Sequence, residues 1–408
     1  MKIFILKPKH IANNLIHFRN LLFATFILLS IQSCGKLGAD GPDPVDPPGT
    51  DEPVADAPTT ANFDKLAVWN GYKTTQSGAY NLVFIGDSYT QGNYFTWRVR
   101  SKMLTDGGID GGPGYCSFGR WDATNMLSID GSMDSDELTF TYDPVKWKSE
   151  KENTLGPCDY VINNTANAVI TVTSKVALNT LTIIHERHAN AGDFRYRINS
   201  GSWITVNASN AVQGINNVEI DVSGAGSNFT LDIEPEKAGE IFCGVLAKRT
   251  GNVLTFDKVG SSGANAGLFA KNPLWKSSMQ TLAPNGAVIM FGINEMEENI
   301  TPAQMKIDVQ NIIDKVKEIN PACDIMIMCP PATKFETEEP HKYKVAAYAD
   351  ILYKLAVSNK AAFINFPKLF GTFSTASVTS GLMNVDRIHP GEKGGELIAT
   401  TIFSAFKK

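Results

Sequence analysis

The sequence predicts an α/β fold in which a doubly wound parallel sheet, covered by helices on both faces, is interrupted by an inserted β-sandwich domain. Three observations predict it. From Tyr80 a largely apolar run, YNLVFIG, ends in a glycine turn and is followed by a helical stretch, SYTQGNYFTWRVRSKML. After Gly239 the same alternation of apolar runs and helical stretches returns and continues to the C-terminus. Between them, over residues 135–240, lie short β-type runs separated by Asn, Gly and Ser turns, the punctuation of a sandwich rather than of β-α-β units.

The chain begins with Lys2, Lys7, Lys9 and Arg19, followed by the apolar run LLFATFILLSI from Leu21 to Ile31. That length suits the core of a secretory signal and is too short to span a bilayer. The run ends in I-Q-S-C, which resembles a bacterial lipobox. The resemblance implies that residues 1–34 are a lipoprotein signal and that Cys34 is lipidated. Residues 35–62 are rich in Pro, Gly and Asp without apolar periodicity, and read as a disordered tether. A lipid, a tether and a globular body together predict a lipoprotein of the cell envelope, periplasmic or surface-exposed, that meets the membrane through its anchor alone.

Residues 63–134 then form the first part of the α/β domain, 135–240 the sandwich and 241–408 the second part. In the insertion the hairpin FRYRI-NSGS-WITV is the clearest local signal. Phe194, Tyr196 and Ile198 alternate with Arg195 and Arg197, giving one apolar and one charged face. Trp203, beside the turn, is placed either in the sandwich core or as a platform on which a sugar ring stacks. In the second part IFCGVLAKR, VLTFDKVG, GAVIMFG, DIMIMCPP and AAFINF read as strands. T-P-A-Q at Thr301 marks a helix start with Pro at its first position, and Met305, Val309, Ile312, Ile313, Val316 and Ile319 give that helix an apolar stripe.

Composition excludes some functions. A formal net charge of -5 carries no basic excess, so nucleic acid is not an expected partner. Beyond Cys34 there are Cys116, Cys158, Cys243, Cys323 and Cys329, an odd number that leaves at least one thiol unpaired. Cys323 and Cys329 bracket a strand of about 20 Å, too long for a disulfide between them. No C-x-x-C spacing is present, and His185 and His188 point to opposite faces of one strand, so no metal site is expected. His341 is expected in solvent.

Four elements carry possible chemistry. Ser88, in I-G-D-S-Y-T-Q-G, lies at the carboxyl end of the first strand, the edge where open α/β sheets gather ligands. A serine there also serves as a helix cap, and the G-x-S-x-G elbow is absent. Near the C-terminus D-R-I-H supplies Asp386 and His389. By elimination among the histidines, His389 is the candidate general base, with Asp386 placed to hold its ring. Asn294, in F-G-I-N-E, follows a buried strand and offers a side-chain amide. The turn V-G-S-S-G-A-N offers main-chain N–H groups at Gly260 or Gly263.

In this order, Ser88, a glycine turn, G-x-N-E and D-x-x-H resemble the four sequence blocks of the GDSL/SGNH hydrolases. That resemblance implies a flavodoxin-like α/β/α fold and a serine esterase needing no metal or organic cofactor. It gives Ser88 as nucleophile, His389 as base and Asp386 as its partner. The oxyanion hole would be formed by the N–H groups of Ser88 and Gly263 and the Asn294 side chain, with Gly260 as the alternative glycine. GDSYTQGNYFTWRVRSKM with DGGIDGGPGY is similar to the peptidoglycan and polysaccharide O-acetylesterases, which also carry an inserted β-sandwich resembling a carbohydrate-binding module. The implied substrate is an acetylated glycan. A lipid esterase or thioesterase, an O-acetyltransferase, and a non-catalytic glycan-binding lipoprotein are the alternatives.

Overall fold

Tyr80–Gly86 is buried along its whole length, as expected of a strand covered on both faces. In the computed structural model it is an interior strand of a six-stranded sheet. The structure describes residues 56–119, 137–150, 155–337 and 341–407. The expected signal segment, Cys34 and the Pro/Asp-rich stretch through residue 55 lie outside the described residues, as do residues 120–136 at the boundary expected between the α/β domain and the insertion.

Along the chain, β1 (Thr60–Ala61) and α1 (Ala67–Thr75) precede β2 (Tyr80–Gly86), α2 (Ser88–Gln91) and α3 (Thr96–Thr105). The insertion runs through β3 (Gly114–Ser117), β4 (Leu138–Tyr142), β5 (Trp147–Glu150), β6 (Tyr160–Asn163), β7 (Ile170–Ser174), β8 (Thr180–Arg187), β9 (Asp193–Ile198), β10 (Ile204–Asn207), β11 (Gly214–Asp221), β12 (Phe229–Pro235) and β13 (Ile241–Lys248). The α/β order resumes with β14 (Leu254–Gly260), α4 (Ala266–Lys271), α5 (Trp275–Leu282), β15 (Gly286–Met290), α6 (Ile293–Glu297), α7 (Pro302–Ile319), β16 (Asp324–Cys329), α8 (Val345–Ser358) and β17 (Ala362–Asn365). Three further helices, α9 (Phe366–Phe370), α10 (Thr375–Thr379) and α11 (Glu392–Lys407), complete it.

The first sheet has the order β1-β17-β16-β15-β2-β14, all parallel except β1, which pairs antiparallel with β17. Its parallel strands therefore follow the doubly wound order 2-1-3-4-5, and the order reverses between β2 and β15. Open α/β sheets bind their ligands at such a switch point, at the carboxyl ends of those two strands. One helical layer is joined by Trp69 Nε1 of α1 donating to Phe406 O of α11 at 2.6 Å. In another, Lys315 of α7 donates to Ala270 O of α4 at 2.6 Å. Thr301 caps α7 by accepting from Gln304 N, and the stripe Met305, Val309, Ile312, Ile313 and Val316 is buried.

The insertion is a sandwich of two antiparallel sheets, β10-β9-β12-β7-β4 and β11-β8-β13-β6-β5, with β3 also paired to β13. Its boundaries are wider than the expected 135–240. β3 comes from the segment assigned to the first part of the hydrolase domain, and β13 from the segment assigned to the second. The reason lies in their burial. Phe242 and Val245 of β13 face the sandwich core, while Cys243 and Leu246 face the core of the α/β domain. A strand buried on both faces reads as a continuous apolar run, indistinguishable in sequence from a parallel strand.

The expected tether is likewise shorter than 35–62. Ala57 is buried, Thr59 O accepts from Asn365 N, and Thr60–Ala61 joins the sheet. All five described cysteines are buried free thiols. His341 packs edge-on against Phe335 at 4.9 Å and is half-buried, where the sequence suggested solvent. His185 is buried in the sandwich, and burial pushes its pKa down to about 4.

Candidate active site

The turn after β2 carries the first candidate residue, Ser88. Asp87 caps α2 by accepting from Tyr89 N at 2.9 Å, which leaves Ser88 as the first residue of a helix at the carboxyl edge of the sheet. Burial pushes the Asp87 carboxyl up to about 6, against the opposing pull of the Tyr89 N–H and His389.

Ser88 Oγ lies 2.9 Å from His389 Nε2, although the two residues are 301 apart in the chain. His389 Nδ1 lies 2.8 Å from Asp386 Oδ2. The second oxygen, Asp386 Oδ1, accepts from the main-chain N–H groups of Ile388 at 2.9 Å and His389 at 3.0 Å. Burial raises the Asp386 carboxyl, but the bonds from His389 and these amides outweigh it and hold it below its ordinary value. The D-R-I-H turn is tied down at both ends, by Lys334 N donating to Arg387 O and Asn384 N to His389 O. Arg387 sits at φ 66, a left-handed conformation that non-glycine residues adopt mainly where the surrounding structure enforces it.

The glycine turn follows β14, next to β2. Gly260 is packed so closely that a Cβ there would lie 2.4 Å from Gln91 N. Gly263 is different: it sits at φ +77 in open space, exposed at the mouth of the turn. Of the two glycines, it is Gly263 that has the accessible main chain. Asn294, at the start of α6 and just past β15, donates through Nδ2 to Ala264 O at 2.8 Å. That bond clips it to the glycine turn and occupies one of its two amide hydrogens.

Residues 222–397 match the model of the GDSL-like Lipase/Acylhydrolase family. The protein is accordingly a carboxylic ester hydrolase. The matched stretch contains Gly263, Asn294, Asp386 and His389, whereas Ser88 precedes it on the far side of the inserted strands. A peptidoglycan O-acetylesterase of known structure shares the fold, with TM-score 0.65 and 15% identity over 85% of this chain and 95% of its own. An acetylxylan esterase from Geobacillus stearothermophilus gives TM-score 0.32 and 17% identity over 38% of this chain and 74% of its own. No curated protein matches the sequence.

Several residues of this acylhydrolase site are not apparent from its sequence. Tyr94 stacks on the His389 imidazole, with ring centres 5.2 Å apart and planes 12° from parallel. The Tyr89 hydroxyl donates to Ile388 O, joining the Ser88 turn to the His389 turn. Gln91, three residues after Ser88, is buried with the rest of its helical turn, and only its place beside Ser88 in the sequence marks it. Asp159 contacts it from 68 residues away and carries no local signal at all.

Trp203, by contrast, is not brought to Ser88, His389 and Asp386. Phe194 and Tyr196 lie in the sandwich core, while Trp203 covers the opposite face of β9, where the Arg195 and Arg197 guanidinium groups sit 4.7 and 4.3 Å from its ring centre. Both arginines are ion-paired, to Glu234 at 2.6 Å and Asp232 at 2.9 Å. Their charges are therefore compensated within the sheet.

Beneath Asn294 lies Glu295, whose Oε1 accepts from Ala266 N at 2.7 Å. Burial, reinforced by the nearby Asp87, pushes its pKa up to about 8. The unfolded chain loses this proton near pH 4.5 and the native state near pH 8, so stability falls as pH rises across that window. Glu295→Gln removes that dependence. Wild-type stability relative to the variant is expected to drop by on the order of 4 kcal/mol across the window. Urea unfolding at its two ends checks this; parallel curves for the two proteins would mean that Glu295 is ionised in the native state.

Proposed function

We propose that this acylhydrolase removes O-acetyl groups from a carbohydrate polymer through a Ser88-His389-Asp386 triad. The observation that carries the reading is the continuous chain of contacts from Ser88 Oγ through His389 to Asp386, at 2.9 and 2.8 Å. Asp386 holds the Nδ1–H tautomer, so Nε2 is the acceptor for the serine proton. Ser88 attacks the acetyl carbonyl, and the oxyanion is held by the N–H groups of Ser88 and Gly263 and the free amide hydrogen of Asn294. The intermediate collapses with cleavage of the bond between the acetyl carbon and the sugar oxygen, which takes the proton from His389 and leaves as a hydroxyl. Water, activated by the same histidine, then releases acetate and restores Ser88.

The glycan part of the reading is supported by the fold shared with a peptidoglycan O-acetylesterase and by an indole ring displayed on the sandwich surface. Acetate release from acetylated polysaccharides, measured beside hydrolysis of p-nitrophenyl acetate, tests it. Trp203→Ala is expected to raise KM on the polymer and leave the small ester unchanged. Equal loss on both substrates with a lowered melting temperature would give Trp203 a structural role instead. Faster turnover of long acyl esters than of acetylated glycans would favour a lipid esterase. Anchoring in the cell envelope through a lipid on Cys34 belongs to the same proposal, and recovery of the protein wholly in the soluble fraction would overturn it.

A further inference from the structure

Asp159 immediately precedes β6 and so belongs to the inserted sandwich, yet its side chain is fully buried against the loops of the hydrolase site. Gln91 Nε2 donates to Asp159 Oδ2 at 2.6 Å, and the Ser261 hydroxyl donates to Oδ1. Gln91 closes the short helix that Ser88 opens. Its own Oε1 accepts from Ser262 N at 2.6 Å, and its main-chain carbonyl accepts from the buried Lys258 of β14 at 3.0 Å. The Asp159 main chain is held in turn by Ser117 Oγ of β3, which donates to its carbonyl at 2.8 Å. Both serines that precede Gly263 are thus clamped, one by the carboxylate of the insertion and the other through Gln91.

We propose that Asp159 and Gln91 are positioning residues for the oxyanion loop, so that the inserted sandwich braces the reaction centre as well as flanking it. The inference rests on the reading of Gly263 as an oxyanion donor. An exposed glycine turn is free to adopt many conformations, and a main-chain donor displaced by about 1 Å loses on the order of 10² in rate. A carboxyl presents two oxygens, so one side chain can accept from Ser261 and from Gln91 at once. A buried carboxylate therefore suits the task of holding Ser261 and, through the Gln91 amide, Ser262 in one geometry. Asp159 is assigned a role through the loop and not on the reacting atoms.

Hydrolysis of p-nitrophenyl acetate, together with inhibition by an aryl trifluoromethyl ketone whose tetrahedral adduct fills the same hole, tests the proposal. Gln91→Ala and Asp159→Asn are expected to lower kcat by about 10–100-fold with KM little changed, and to weaken the ketone in proportion. The double variant should lose no more than the worse of the two single variants, because both act on one loop. Near-wild-type kcat in folded Gln91→Ala overturns the proposal, and so does a fall in kcat with ketone affinity intact. Gln91→Ala decides the matter alone if Asp159→Asn does not fold. Ser88→Ala assayed in parallel separates the two readings: activity surviving there would mean that the triad is wrong, whatever the brace does.

Discussion

Ser88→Ala and His389→Ala are each expected to lower kcat on a small acetate ester by at least about 10³, with the fold retained. Ser88 contributes a hydroxyl at the carboxyl edge of the sheet and little to the core, so its loss should barely move the melting temperature. His389→Ala also removes a ring stacked on Tyr94 and should be the less stable of the two. Asp386→Asn belongs in the same range. Oδ1 accepts two main-chain N–H groups, so the amide oxygen of an asparagine would remain there and its NH2 would face His389 Nδ1. The imidazole would then carry its proton on Nε2 and could not accept one from Ser88. Near-normal turnover by folded Ser88→Ala would end the triad assignment.

Asn294→Ala is expected to cost about 10²–10³ in kcat and to change KM little, as for the loss of one oxyanion donor. The bond from Asn294 Nδ2 to Ala264 O adds to the effect, since the variant also unclips the glycine turn. Steady-state kinetics on an acetate ester decide the point. A change confined to KM would make Asn294 a group that binds ground-state substrate.

Much of this arrangement is legible in the amino-acid sequence because it depends on short-range chemistry. A buried run ending in G-D-S marks a strand that delivers Ser88 to the sheet edge. D-R-I-H puts carboxylate and imidazole three residues apart, close enough for one turn to bring them together. The T-P-A-Q start of α7 is equally local. What is not legible depends on contacts between distant segments. Nothing around Asp159 shows that it is buried beside Gln91, because that contact follows from how the sandwich seats on the α/β domain. The alternation in FRYRI separates the apolar from the charged side chains of β9. It does not say that Trp203, across the turn, lies over the arginines rather than in the core. The run IFCGVLAK carries no mark of which sheet it joins, since two cores bury it from opposite sides.

The position of β13 has a consequence for any shortened form of the protein. It lies between β8 on one side and β3 and β6 on the other. A chain cut back to the α/β domain by deleting residues 135–240 would keep β13 and lose β8 and β6. It would then display a row of unpaired main-chain N–H and C=O groups flanked by Ile241, Phe242, Val245 and Leu246, all now buried. Such an edge is a template for strand addition by a second molecule, so the isolated hydrolase domain should self-associate and precipitate rather than remain a monomer. A cleaner excision removes β3 and β13 together with the sandwich and rejoins the chain between the end of α3 and the start of β14.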